Sequence, residues 1–358
     1  MLQVINIGTP IVPYNDSNYF EQRSAKMISK NLLPWKLSLS VSKFFQLKFN
    51  CYLLRFLPFF ISRWYIIFIG KLYYLFNKKE SNLIRQTIKR VLNRKNDPWI
   101  IKVKIKDTFK GIFDHYHEKL FIAYSHFPRL LRFLHNQIRL VGAEALDKAL
   151  QTGQGVILVT GHYGAVEMLP GALAVKGYPT AMICRFQTSR LRQSLNARAE
   201  RVGLELIDAD EGNILLSALR VLKQGRILIT ECDEFDEWRD DHNRSTYFLN
   251  TRLPYDRSLD LLRKRTGASV VTALVHREGK RRYAMNLRLV ANGASGNPPS
   301  VSQECLAILE QAIDTNPEQW YQWKKLGKII KSRLEAEHDH QESGYLAPKV
   351  GISLPDQA

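Results

Sequence analysis

Residues 155–167 read Gly-Val-Ile-Leu-Val-Thr-Gly-His-Tyr-Gly-Ala-Val-Glu. The apolar run at 155–160 is typical of a strand that is buried on both faces of a parallel sheet. The run is followed by His162 between glycines, and glycine permits a sharp turn after such a strand. Open α/β sheets bind their ligands beyond the carboxyl ends of the strands. The stretch therefore predicts an α/β fold with a candidate site at His162.

Further short apolar runs alternate with helical patterns on both sides of this stretch. We predict strands at 138–141, 178–184, 204–207, 227–230, 270–275 and 283–289. Helices are predicted at 143–151, 214–223, 258–265 and 303–314. Strands that alternate with helices indicate a mixed, mostly parallel central sheet flanked by helices.

An acidic residue, Glu167, lies five residues after His162. On one continuous helix the two side chains would diverge by about 140°, but a turn at Gly161 and Gly164 could fold the carboxylate back onto the imidazole. Such a pair is typical of general-base catalysis, in which the histidine takes a proton from a hydroxyl group. The same residues also fit a surface histidine in a turn, followed by a glutamate that caps a helix.

Other chemistries find little support in the sequence. It contains no Gly-x-Ser-x-Gly or His-Glu-x-x-His motif and no glycine-rich phosphate loop. The cysteines, Cys51, Cys184, Cys232 and Cys305, form no Cys-x-x-Cys pair, which argues against a zinc ribbon and suits free thiols in a reducing compartment. We therefore expect no metal site, and residues 1–30 show no pattern of a secretory signal.

Positive charge is concentrated in the first third of the chain. The formal net charge is +18, and residues 1–110 hold 20 Lys and Arg but only five Asp and Glu. Such a segment should bind an anionic partner, which could be lipid headgroups, nucleic acid or an acidic protein.

Residues 44–76 combine this charge with many aromatic side chains. Arg55, Arg63 and Lys71 recur every eight residues, and charge-free runs such as 64–70 are far shorter than the ~20 residues that span a bilayer. The pattern predicts an interfacial helix whose cations reach lipid phosphates. An amphipathic helix packed on its own domain is the alternative. Because the aromatic residues form helical runs, we expect no nucleic acid partner.

Several segments together resemble the bacterial lipid A biosynthesis acyltransferases, the lauroyl and myristoyl transferases of the wider glycerolipid acyltransferase group. The likeness spans about 55–330. Its landmarks are the stretch around His162, 141–147 with 153–156, Arg185, 219–225 followed by Asp233, 261–271, and Asn-Pro-Glu-Gln-Trp-Tyr-Gln-Trp at 316–323.

The resemblance implies transfer of a fatty acyl group from acyl carrier protein or acyl-CoA to a hydroxyl group of a glycolipid, with no further cofactor. It implies that His162 is the general base and Glu167 its orienting carboxylate, and that Arg185, Arg198 and Asp233 bind substrate. Arg201 competes with Arg198 for its position. The resemblance also implies a peripheral or monotopic enzyme on anionic lipids at the cytoplasmic face of the bacterial inner membrane.

Departures from the family pattern leave the acceptor open. Ala165-Val166 stand where Asn-Trp is common, Glu234 follows Asp233 in place of Gln, and Phe186 follows Arg185 in place of Pro. The acceptor could be a lipid A precursor or another lipid-like hydroxyl compound. An inactive membrane-binding relative is a further alternative.

The sequence thus divides into four parts. We predict an N-terminal extension at 1–43, a basic and aromatic membrane-associated helical region at 44–110, an acyltransferase domain at 111–330 and a flexible tail at 331–358.

Overall fold

A computed structural model describes residues 48–93, 97–186, 188–235, 238, 244–279, 281–292 and 300–345. The extension predicted for 1–43 lies outside these residues.

Helices precede the first strand: α1 (Lys48–Phe56), α2 (Phe59–Phe76), α3 (Lys78–Leu92), α4 (Pro98–Tyr124) and α5 (Phe127–Gln137). Asn77 caps the start of helix α3, because its side chain accepts a hydrogen bond from the N–H of Glu80 and so satisfies one free donor of the first turn. Helix α4 starts at Pro98, since proline lacks the N–H that this position leaves unpaired.

A seven-stranded sheet forms the centre of the described chain. The strands of the described chain, including two that lie outside this sheet, are β1 (Ile138–Val141), β2 (Val156–Thr160), β3 (Thr180–Cys184), β4 (Glu205–Asp208), β5 (Ile227–Glu231), β6 (Ser245–Phe248), β7 (Thr251–Pro254), β8 (Ser269–Arg277) and β9 (Tyr283–Ala291). The sheet order is β1-β9-β8-β2-β5-β3-β4, and β6 with β7 forms a separate antiparallel hairpin that the sequence patterns did not predict. Only the β8–β9 neighbours in the sheet are antiparallel. The predicted mixed, mostly parallel sheet is therefore confirmed.

The remaining helices cover the two faces of this sheet. They are α6 (Ala143–Gln151), α7 (Leu169–Val175), α8 (Ser189–Glu200), α9 (Ile214–Lys223), α10 (Ser258–Thr266), α11 (Val301–Thr315) and α12 (Trp323–Tyr345). Strand β2 is buried along its whole length, as its apolar sequence requires. Val156 and Leu158 pack in one hydrophobic cluster, whereas Ile157 and Val159 pack in the other. Because successive side chains of a strand point to opposite faces, β2 takes part in the hydrophobic clusters on both sides of the sheet.

The hydrophobic core continues across the predicted boundary at 110/111. That boundary falls inside α4, where Ile101 and Ile105 pack in the same cluster as Ile112 and Phe113. Arg63 of α2 points inward, and its Nε and Nη2 donate to both carboxylate oxygens of Asp114 at 2.6 and 2.8 Å. The expectation that Arg63 faces lipid phosphate is therefore wrong, because α4 supplies the carboxylate at this position.

Helices α1 and α2 carry large apolar side chains on their outer side. Phe60, Trp64 and Phe68, spaced by one turn on α2, are 59–65% exposed. By length and composition α2 is the one described helix that could cross a membrane, and 28% of its residues are buried in the protein. We call the exposed large apolar side chains of α1 and α2 the outer aromatic face; they are Phe49, Tyr52, Phe56, Phe60, Ile61, Trp64, Phe68, Leu72, Leu75 and Phe76.

Helix α12 extends into the segment predicted as a flexible tail. It runs to Tyr345, so the structure has a helix over residues 331–345. Lys331 pairs with Glu335 one turn later at 3.6 Å, a spacing that supports a helix.

Candidate functional site

Polar side chains meet beyond the carboxyl ends of the three adjacent strands β2, β5 and β3. His162 follows β2, Asp233 follows β5 and Arg185 follows β3. These strands are parallel neighbours, so their carboxyl ends lie at one edge of the sheet. This topology brings together residues that are far apart in the sequence, at the edge where such sheets bind ligands.

Asp233 orients the His162 imidazole. Its Oδ1 lies 2.8 Å from His162 Nδ1, and its two oxygens accept the backbone N–H of His162 at 3.1 and 3.0 Å. A carboxylate only accepts hydrogen bonds, so Nδ1 carries a proton and Nε2 is the atom left for chemistry. Asp233 itself is fully buried. We had expected Asp233 to bind substrate, but the structure places it behind the histidine.

The segment at 316–321 fixes this arrangement from the other side. The indole Nε1 of Trp320 donates to Asp233 Oδ2 at 2.8 Å, and the N–H of Tyr321 donates to the His162 carbonyl at 3.3 Å. Gly164 donates its N–H to the Gln319 carbonyl at 2.7 Å and has a φ of 57°. A Cβ at Gly164 would overlap the carbonyl oxygen of Val275. Only glycine therefore fits this turn.

Two glutamates face the other imidazole nitrogen. His162 Nε2 lies 3.5 Å from Glu231 Oε2 and 3.2 Å from Glu234 Oε1. Lys325 pairs with the second oxygen of Glu234. Burial alone would raise the pKa of Glu234, but its hydrogen bonds to His162 and Lys325 lower that pKa to about 2. Burial raises the pKa of Glu231 to about 7.

These carboxylates control the protonation of His162. Burial alone would lower the pKa of the imidazole, but the charges of Glu231 and Asp233 outweigh it and raise the pKa well above the ordinary 6.5. The imidazolium is therefore the favoured state near neutral pH, and the neutral base forms as the pH rises.

Glu167 does not pair with His162 in the structure. It lies in a short 3₁₀ turn, Val166–Met168, where its Oε1 is 3.2 Å from Lys119 Nζ and 3.7 Å from His115 Nε2. The expected pairing of Glu167 with His162 is therefore replaced by the pairing with Asp233. The reason is the turn at Gly164 and Ala165, whose N–H groups bond Gln319 and Val275 and direct the following residues toward α4.

A cavity of about 360 Å³ opens at this edge of the sheet. His162, Glu167, Glu231 and Lys119 line its polar end. Apolar side chains from α5, β3, α8 and β4 line much of the rest, among them Leu130, Leu134, Met182, Leu195 and Leu206. A pocket with one polar end and apolar walls suits a ligand that has a reactive polar group and a hydrocarbon chain.

Both arginines predicted at the site line this cavity. Arg185 is half exposed and pairs with Asp210 at 2.8 Å. Arg198 donates to the carbonyl of Ser125, and burial, with the nearby charge of Arg55, lowers its pKa to about 10. Arg185 therefore lies at the exposed rim, whereas Arg198 lies deeper against α4.

One group of side chains has the spacing of a cation site. The donor atoms of His162, Glu231 and Glu234 lie within 4.8 Å of one another. One carboxylate oxygen of Glu234 is already paired with Lys325, and His162 Nδ1 is bonded to Asp233.

Sequence reasoning missed several residues of the site. Glu231 and Glu234 lie close to Asp233 in the sequence, so the sequence does not show which of these acids contacts the histidine. Apart from a helical pattern, nothing in the sequence around Lys119 indicates a role at the site. Trp320 belongs to a segment that resembled the family, but its bond to Asp233 needed the fold.

Comparison with known proteins identifies the family of the chain. Residues 39–327 match the family described as bacterial lipid A biosynthesis acyltransferase, which covers most of the chain and confirms the resemblance. No curated protein matches the sequence.

Proposed function

The chain belongs to the bacterial lipid A biosynthesis acyltransferase family, and from this premise we propose that it moves a fatty acyl group from an acyl thioester to a hydroxyl group of a lipid A precursor or related glycolipid. His162 is the general base. The observation that carries this proposal is the hydrogen bond between His162 Nδ1 and the buried Asp233, which leaves Nε2 at the polar end of an apolar cavity.

The transfer takes place in one step between the two substrates. The acceptor hydroxyl gives its proton to His162 Nε2 while its oxygen forms a bond to the thioester carbonyl carbon. The carbon–sulfur bond then breaks, and the departing sulfur takes the proton from the imidazolium. Asp233 stabilises the imidazolium and keeps the ring in place, as a carboxylate does in other His-dependent acyl transfers. The enzyme needs no covalent intermediate, metal or cofactor beyond the thioester.

The apolar part of the cavity holds the acyl chain. A donor on acyl carrier protein or coenzyme A would place its thioester at the polar end, near His162. Arg185 at the rim and Arg198 deeper in the cavity would bind anionic groups of the substrates. A different lipid-like hydroxyl acceptor is the second candidate, because the departures at Ala165-Val166 and Phe186 lie in the segments that flank the cavity.

Membrane association is the remaining part of the proposal. The outer aromatic face exposes a row of large apolar side chains, and a soluble monomer seldom leaves a patch of this kind uncovered. Cations of α3 and α4, such as Lys89 and Lys102, are also exposed and suit anionic headgroups. We place the protein on the cytoplasmic face of the inner membrane.

The direct test follows thiol release from acyl carrier protein and coenzyme A thioesters in the presence of lipid A precursor. We expect His162→Ala to lower the turnover rate by about two orders of magnitude or more, because the attacking hydroxyl loses its base. Equal rates for wild type and variant would contradict the role of His162. A wild-type protein that releases thiol only with a lipid-like hydroxyl compound other than a glycolipid would assign the second candidate acceptor.

A further inference from the structure

Lys119 is a partly buried cation at the polar end of the cavity. It lies on α4, its side chain is 21% exposed, and it lines the same cavity as His162. Removing an ammonium group from water is costly unless opposite charge lies close to it. Glu167 supplies that charge, with Oε1 at 3.2 Å from Nζ. The pair thus keeps a positive group in the cavity.

The ammonium group of Lys119 has more hydrogen-bond donors than its ion pair with Glu167 uses. It carries three N–H groups, and Glu167 is its ion-pair partner among the described residues. The other neighbour of Glu167, His115, stacks on Tyr321 at 3.6 Å between ring centres. Burial and the charge of Lys119 lower the pKa of His115 well below its usual value, so this ring is neutral. The positive charge beside Glu167 therefore belongs to Lys119.

Lys119 keeps its charge over the working pH range. Burial alone would lower its pKa, but the charge and hydrogen bond of Glu167 outweigh it and raise the pKa. The group therefore acts as a fixed charge and takes no part in the proton transfer at His162.

We propose that Lys119 is the cation that stabilises the oxyanion of the thioester carbonyl, and that Glu167 is a positioning residue that holds it there. The inference rests on the proposed acyl transfer. When the acceptor oxygen bonds to the carbonyl carbon, the electron pair of the C=O bond moves onto the carbonyl oxygen. A charged donor fixed in a site with little water stabilises that oxygen far more than it would in solution. Lys119 stays protonated while the C–S bond breaks.

This assignment gives Glu167 a different task from that of Asp233. Asp233 bonds Nδ1 of the base, whereas Glu167 pairs with the Lys119 cation, and His162 and Lys119 line the same cavity. Each carboxylate therefore acts through a different group of the site. Substitutions at the two positions should give different kinetic signatures.

The first experiment compares Lys119→Met with wild type in the thioester assay. We expect kcat to fall about 100-fold while KM changes less than about threefold, because the cation acts on charge that forms in the transition state. Lys148→Met, at an exposed lysine of α6, is the matched control and should keep wild-type rates. A higher KM with unchanged kcat would overturn the proposal and assign Lys119 to binding a substrate anion instead.

The second experiment is a double-mutant cycle with Glu167→Gln. If Glu167 acts through Lys119, Glu167→Gln alone lowers kcat. Added to Lys119→Met, the same substitution should lower kcat by less than about a further threefold. The double variant also leaves no unpaired buried charge, so it tests activity even if Lys119→Met unfolds. Additive losses, or a shift of the His162 limb of the pH profile in Glu167→Gln, would overturn the positioning role. A wild-type protein without thioester cleavage would contradict the proposed function itself.

Discussion

The outer aromatic face and the site around His162 use aromatic and charged side chains in opposite ways. On the outer face, Phe60 and Phe76 are 59% and 88% exposed, and Lys71 points to solvent beside them. At the site, Trp320 is fully buried and its N–H donates to the carboxylate that orients His162. A buried aromatic residue here takes part in a polar network, whereas an exposed one offers only apolar area. The exposure of the aromatic side chains therefore distinguishes the two regions, which residue composition alone does not.

The inner side of α2 shows the same contrast within a single helix. Phe59 stacks on Phe133 at 4.9 Å between ring centres, and Ser62 bonds the His117 ring at 2.8 Å. Two residues after Ser62, on the opposite side of the helix, Trp64 is 65% exposed. One side of α2 therefore belongs to the protein core and the other is available to a membrane.

The largest expected effect lies at the site. Asp233→Asn removes the charge that stabilises the imidazolium, so we expect kcat/KM to fall about 100-fold or more. The pKa of His162 should fall as well, because Asp233 is one of the charges that raise it. In the proposed mechanism His162 is the base, so kcat/KM should rise with pH through its pKa, and this rising limb should move to lower pH in the variant. A pH–rate profile measures both effects.

Asp147→Asn, at an exposed acid of α6, provides the matched control for that variant. A profile of Asp233→Asn that keeps the wild-type limb would contradict the pairing of Asp233 with His162.

The outer aromatic face should give a smaller effect, and a different one. We expect replacement of Phe60, Trp64 and Phe68 by Ser to weaken binding to anionic lipid vesicles about tenfold or more, because each aromatic side chain loses apolar contact with the lipid. Flotation with vesicles measures the binding. Cleavage of a soluble thioester should change little, since these residues lie outside the cavity.

Tyr247→Ser is the control for this experiment, because Tyr247 is 68% exposed on the β6–β7 hairpin and far from the outer aromatic face in sequence. Unchanged vesicle binding by the triple variant would show that the outer aromatic face is not the membrane contact.

The smallest expected effect concerns the buried side of α2. Burial and the charge of Arg63 lower the pKa of His117 to about 3, so the folded protein holds this ring neutral. The unfolded chain takes up the proton near pH 6.5. The contribution of His117 to stability is therefore complete above pH 6.5 and is lost as the pH falls toward 3. It should fall by about 1 kcal/mol between pH 7 and pH 5.5.

Urea unfolding of wild type and His117→Phe at these two pH values measures this contribution. The variant should lose less stability over the interval than wild type. An equal loss in both proteins would mean that other groups account for the pH dependence.

Much of the fold was predictable because the buried strands are almost purely apolar. The runs that became β2 and β5 stand out in the sequence, and α9 matches its predicted bounds at 214–223 because Asn213 caps it and Lys223 ends the amphipathic pattern. The β6–β7 hairpin escaped prediction because its short strands alternate weakly between polar and apolar residues.

The site was predictable in part. His162 follows from the strand and the turn, but its carboxylate partner does not, because contacts with residues 319–321 determine the direction of the chain after Gly164. These contacts join positions more than 150 residues apart, and local spacing carries no information about them. The inward direction of Arg63 likewise depends on Asp114 of α4.

The tryptophans lie in opposite environments, so their fluorescence can report on the state of the protein. Trp64 and Trp99 are 65% and 74% exposed, whereas Trp320 and Trp323 are fully buried beside Asp233 and α11. Indole fluorescence shifts to shorter wavelength when water is replaced by lipid, so Trp64 on the outer aromatic face would signal arrival at a bilayer. Trp320 and Trp323 would keep their emission until the fold opens. The emission of these exposed and buried tryptophans would therefore respond differently to docking and to unfolding.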